Sequence, residues 1–249
     1  MSGAVHIVRA TLRQILGARR LLLFGALAMF PGFIFFVTSA NEDTRGVLGS
    51  FKDGADIHFS LAVPVTALIL AAAALGAERR DLTLSFVVLR PISRLSIAAA
   101  KLTAAFTAAI FLNAAGAATL SILYGVRGDD WAYVLPLVVG STLATMVYTA
   151  IFVPLGYLSE RSTLIGLAYV FVWENGIVGA LGVLGVTSPW RIGYSAFAAL
   201  APKAILSRLD DFTLADLSPS APTALVQTAV FVIVSASLLT WILRRRDLI

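Results

Sequence analysis

Six stretches of the chain, 21–39, 57–76, 102–124, 132–157, 163–186 and 223–243, are apolar and almost free of charge. Each is about as long as a helix that crosses a bilayer, which needs about 20 apolar residues. In hydrocarbon every backbone N–H and C=O must be satisfied internally, so only helices and closed barrels span. Barrel strands alternate apolar and polar residues over about ten positions, whereas these runs are continuous. The pattern predicts an all-α integral membrane protein with six transmembrane helices in a single domain over 1–249. Composition agrees: 13% of residues are charged, against about 25% in soluble domains. The first run does not read as a cleaved signal peptide. It is too long, a basic arm precedes it, and Thr38-Ser39-Ala40 makes a poor cleavage site.

Orientation follows from Lys and Arg, which concentrate in cytoplasmic loops. Arg9, Arg13, Arg19 and Arg20 precede the first run, and Arg79, Arg80, Arg90, Arg94 and Lys101 follow the second. Arg161 follows the fourth run, and Arg244, Arg245 and Arg246 follow the sixth. Together they are most of the 19 basic residues. Both termini of this multi-pass chain are therefore expected in the cytoplasm. The net charge of +5 reflects this asymmetry and does not point to nucleic acid. There is no cysteine, which excludes disulfides, thiolate metal sites and a Cys nucleophile.

Several segments depart from a plain span-and-loop pattern. In 4–18, His6, Arg9 and Arg13 form one stripe and Val5, Val8, Leu12 and Ile15 another. That reads as a basic amphipathic helix in the headgroup plane, or as a positive flank that only fixes topology. Pro31-Gly32 suggests a kink in the first span, and Asn113 lies among small residues of the third, where helices approach closely. Trp173-Glu174-Asn175 interrupts the fifth run, followed by Gly176, Gly179, Gly182 and Gly185 at every third position. An ionisable residue in a span is a functional candidate. Glu174 either lines a substrate path or water-filled cleft, or is a structural residue, protonated or hydrogen-bonded within its own bundle or at a dimer contact. Segment 187–222 is an extracytoplasmic loop whose apolar first half suits a re-entrant or interfacial helix. Asp129-Asp130 and Asp210-Asp211 read as solvated turns or caps, with a divalent-cation site as the alternative.

The segment between the second and third runs, ERRDLTLSFVVLRPISR from Glu78 to Arg94, is longer than a connection needs. Thr83 to Leu89 is apolar enough to fold under the bundle, Pro91 disfavours helix at Arg90, and Ser93 can cap the next helix. A short cytoplasmic helix with a basic end results, suited to docking on a partner. Glu78, Thr83, Leu84, Arg90, Pro91, Ile92, Ser93, Arg94 and Lys101 resemble the corresponding segment of ABC-2-type transporter permeases. Arg80 and Leu82 depart from that pattern, where Glu and Gly are usual. Trp173-Glu174 and the closing Arg-Arg-Arg-Asp-Leu are also similar to the family.

The resemblance implies a non-catalytic permease subunit of a bacterial or archaeal cytoplasmic membrane, and an apolar path with one acid suits export of amphipathic or hydrophobic cargo. It implies a second permease chain, identical or sibling, and a separate ATP-binding cassette subunit that binds ATP and Mg. Residues 78–101 would then be the coupling segment. The chain has no G-x-x-x-x-G-K-[ST] loop to cradle phosphates, and no cofactor is expected on it. Two other classes stand beside this one. The complex can be a mechanical transducer acting through 187–222, or the chain an intramembrane enzyme centred on Glu174. The enzyme needs a convergent set of acid, base or metal ligands, and His6 and His58 fall at opposite ends.

Overall fold

A computed structural model describes residues 2–80, 92–178, 188–202 and 220–245, and all regular structure among them is helical. The elements are α1 (Ser2–Ile15), α2 (Ala18–Thr38), α3 (Thr44–Ile57), a π turn (His58–Ala62) and α4 (Val63–Arg80). After these come α5 (Arg94–Gly128), α6 (Val134–Leu158), α7 (Ser162–Ala168), a π-helical segment (Tyr169–Val178), α8 (Pro189–Leu200) and α9 (Ala221–Arg245).

Among the described residues five helices are long and apolar enough to cross a membrane: α2, the continuous helix Thr44–Gly76, α5, α6 and α9. Of the fifth expected span only Ser162–Val178 is described, shorter than a crossing helix, and 179–187 lie outside the described residues. The second span starts earlier than its apolar run. Asp43 caps α3 by accepting from the Gly46 amide at 2.8 Å, and Val47, Phe51, Gly54 and Ala55 form a helical stripe that is buried. The charged opposite face, with Lys52, Asp53 and Asp56, hid this helix from a hydropathy reading.

Two further expectations change. α1 is amphipathic, but its buried stripe is Ile7, Thr11 and Ile15, and Val5 is exposed. That stripe packs on α5 and α4, so protein covers one edge of the apolar side of α1, while His6, Arg9 and Arg13 stay exposed. Lys101, expected at the membrane surface, is fully buried, because α1, α2, α4 and α6 all pack around α5. Pro31 sits within continuous α2.

The core is made where backbones come close. A Cβ on Gly76 would lie 2.8 Å from the Gly156 carbonyl oxygen, and one on Gly156 would lie 2.7 Å from Ala72 Cα. Gly140 and Gly193 do the same for α6 and α8, at 2.6 Å and 2.8 Å from each other's carbonyls. Small residues at such crossings give the dispersion contact that holds helices together in lipid, where apolar burial gains little. Away from α1, Phe35, Phe51, Tyr124 and Tyr133 cluster, with Phe51 and Tyr124 stacked at 4.3 Å. Arg127 at the end of α5 donates to the Phe36 carbonyl at 2.7 Å and to Ser39 Oγ, closing this end onto α2. Asp129 then takes a left-handed φ of 52°, and Asp130 Oδ1 accepts from the Ala132 amide at 3.0 Å. This acidic pair thus forms a turn; Asp210-Asp211 lies outside the described residues.

Candidate functional site

α6 carries a file of polar residues, Ser141, Thr145 and Tyr148, spaced so that they share one side of the helix. Each meets a polar residue from another element. Tyr148 Oη donates to Glu174 Oε2 at 2.5 Å. Glu174 Oε1 accepts from Ser188 Oγ at 2.5 Å and from the Trp190 amide at 3.0 Å. The carboxylate therefore joins the π-helical segment, α6 and the first turn of α8. A carboxylate can accept all three bonds, and the N-terminus of a helix favours negative charge. Ser188-Pro189 is itself a helix start, with Ser188 as N-cap and Pro at N1.

One turn away on α6, Thr145 Oγ1 accepts from Asn113 Nδ2 at 3.0 Å, and Asn113 Nδ2 also reaches the Val63 carbonyl at 3.5 Å. Ser141 Oγ donates to the Asn113 carbonyl at 3.3 Å. With that hydroxyl proton committed, His58 Nε2 donates in the 2.9 Å bond to Ser141 Oγ. The π turn that holds His58 precedes Pro64, whose missing N–H leaves the Ser60 carbonyl without its helical partner. Asn175 Nδ2 lies 3.5 Å from that carbonyl and 3.1 Å from the Val170 carbonyl. Neighbouring side chains re-satisfy proline-freed carbonyls in spans in this way.

The residues singled out in the sequence thus fall into two places. Glu174, Asn175 and Asn113 all tie helices together, through α6 or through the break between α3 and α4. Glu174 is buried, whereas Trp173 is 44% exposed and points away from the bundle, as do Phe171 and Val172. The second place is the segment 78–101. Ser93 is the N-cap of α5, its Oγ accepting from the Ser96 amide at 3.1 Å, and Arg94 is half-buried in the first turn. Thr83, Leu84, Arg90 and Pro91 lie outside the described residues, and of Glu78 only the backbone in α4 is described.

Tyr148, Ser188, His58, Ser141 and Thr145 were not picked out from sequence as partners. The spacing Ser141, Thr145, Thr149 in an apolar run was the available signal, since polar residues four apart share a helix face. On α8, outside the spans, burial pushes the Tyr194 phenol up to about 12, with the Asp56 carboxylate adding. Burial also lowers the Arg191 guanidinium from its usual value. α8 is thus enclosed by protein over much of its surface: Ile192, Ser195, Ala196 and Phe197 are buried as well.

Among curated proteins none matches the chain. The family model described as ABC-2 family transporter protein matches residues 19–175, from α2 to the Trp173-Glu174-Asn175 triplet and including the whole 78–101 segment. This covers well over half of the sequence, and together with five helices of spanning length it places the chain, a multi-pass membrane protein, in the ABC-2 transporter family.

Proposed function

We propose that the chain is the membrane-spanning permease subunit of an ATP-driven exporter, with ATP and Mg bound by a separate ATP-binding cassette subunit. The observation that carries this reading is the segment Glu78 to Lys101 within the matched region. Its basic end, Arg90 and Arg94, docks on the ATPase, and Glu78, Thr83, Leu84, Pro91 and Ser93 shape the docking helix. Both termini are cytoplasmic, as the distribution of Lys and Arg supports. Two permease chains pair, and amphipathic or hydrophobic cargo moves along their interface as ATPase closure shifts the inward and outward populations. Glu174 acts here as an anchor, holding α8 on α6 through Ser188, Trp190 and Tyr148. Its three protein donors favour this structural role over contact with cargo.

The test is co-purification of the tagged chain from gently solubilised native membranes. A stoichiometric ATPase subunit is expected, lost in Arg90→Glu plus Arg94→Glu while the permease still inserts. Recovery of a stable chain without any ATPase under several mild conditions would overturn the proposal.

A further inference from the structure

Where α2 begins, an open cleft of about 140 Å³ separates it from α4 and α7. Phe24, Ile69, Leu70 and Ala73 line its apolar part, and Arg20 and Thr163 its polar part. The gap has a sequence cause. α4 reads Ala71-Ala72-Ala73-Ala74 at this level, and methyl side chains do not reach across to α2. Arg20 is exposed, and its Nη1 donates to the Gln14 carbonyl at 3.3 Å, which holds the guanidinium beside the cleft. It has no carboxylate partner among the described residues. The first acid in the chain is Glu42, so nothing in the N-terminal arm offsets Arg9, Arg13, Arg19 and Arg20.

We infer that this cleft is a binding site for an anionic phospholipid, with the headgroup phosphate on Arg20 and Thr163. The first part of an acyl chain lies over Ala73, between Phe24 and Ile69. Guanidinium is the side chain best matched to phosphate. The cleft lies at the end of the bundle that the basic residues assign to the cytoplasm, and the cytoplasmic leaflet carries anionic lipid. A zwitterionic lipid offers the same phosphate and fills the apolar part equally well, but its headgroup cation cancels that charge and is repelled by Arg9, Arg13, Arg19 and Arg20. Bound there, the lipid would touch α1, α2, α4 and α7 together and bias their relative positions. This inference rests on the chain's being a membrane protein and not on its having an ATPase partner, so either can fail alone.

The test uses the purified full chain in phosphatidylcholine–detergent micelles, titrated with phosphatidylglycerol. A ligand that binds the folded chain raises the thermal midpoint with the logarithm of its concentration above Kd, and a rise of about 4 °C is expected for a chain of this size at a lipid concentration several times Kd. Arg20→Gln should lose most of that rise, and Ala73→Phe, which fills the cleft, should lose it too. Arg9→Gln, exposed on α1 and outside the cleft, should keep it. Should Ala73→Phe fail to fold, the pair Arg20→Gln and Arg9→Gln decides. An equal rise with added phosphatidylcholine or inorganic phosphate would overturn the proposal. So would equal losses in Arg9→Gln and Arg20→Gln, which would mean diffuse attraction to the basic arm.

Discussion

The outer helices α2 and α9 and the inner helices α5 and α6 obey opposite rules from those of a soluble protein. The four helices have apolar windows of similar mean hydropathy, 2.2 and 2.0 for α2 and α9 and 1.8 for α5 and α6, yet only 22% of the α2 and α9 windows is buried, against 56% for α5 and 61% for α6. On α9, Val226, Val230, Ile233, Val234 and Trp241 face outward, while Leu239, Ile242 and Leu243 turn inward. The buried surface of α5 is mainly Ala and Gly, with Asn113 and Ser121, and that of α6 includes Gly140, Ser141, Thr145, Thr149 and Gly156. When lipid is the solvent, a Leu gains little by moving inside. Close backbone approach and interhelical hydrogen bonds then decide what is interior. The π-helical segment follows the same rule in miniature: from Phe171 to Ile177, Glu174 alone is buried.

Substitutions can break this comparison. The largest effect is expected at the α4–α6 crossing. Gly156→Leu places its Cβ 2.7 Å from the α4 backbone at Ala72, which a side-chain rotation cannot relieve. Overpacking of this kind costs about 1–3 kcal/mol or more, and thermal unfolding in detergent should give a much lower midpoint, with poor monodisperse yield. A normal midpoint would mean that the crossing is looser than described.

Glu174 comes next. Glu174→Ala leaves the Ser188 and Tyr148 hydroxyls and the Trp190 amide without their acceptor. Unsatisfied buried donors cost about 1–3 kcal/mol, so the midpoint should fall and α8 should become open to protease. Glu174→Gln, which keeps one oxygen acceptor, should fall less. If the two variants behave alike, the hydrogen bonds are not what hold α8.

A smaller effect is expected for Asn113 and Thr145. A double-mutant cycle of Asn113→Ala with Thr145→Val should return a coupling of about 0.6 kcal/mol and at most about 1.7 kcal/mol, the range for side-chain bonds between spanning helices. A coupling near zero would sever that link between α5 and α6. The smallest change belongs on the lipid side. Val230→Ala on α9, where the side chain is 53% exposed, should shift stability by less than about 0.5 kcal/mol. A large loss there would place a protein neighbour, such as a second permease chain, against α9.

The places of five long helices were legible because a bilayer demands long apolar runs, although the second and third extend well beyond their runs and the fifth run is described only as Ser162–Val178. The family resemblance was legible too, since Arg90-Pro91-Ile92-Ser93-Arg94 and Lys101 carry it in the chain itself. α3 was not, because its charged face masks its buried stripe when hydropathy is averaged over all sides of the helix. Glu174, Asn175 and Asn113 were conspicuous as polar residues in apolar runs, but their partners were not. Tyr148 is 26 residues from Glu174, Ser188 is 14 away, and Asn113 is 32 from Thr145. Spacing within a helix says which residues share a face, and cannot say which helix that face will meet.

The sequence by itself therefore determined that the chain is helical, that it belongs in a membrane and which end of each helix bears positive charge. Those properties are local sums over side chains against a uniform solvent. Only the tertiary structure decided that α1 packs on α5, that Lys101 is interior, and that Glu174 holds the start of α8. These depend on which backbones approach closely enough to interlock, a property of helix pairs. The glycines at 76, 140, 156 and 193 permit that approach without naming their partners.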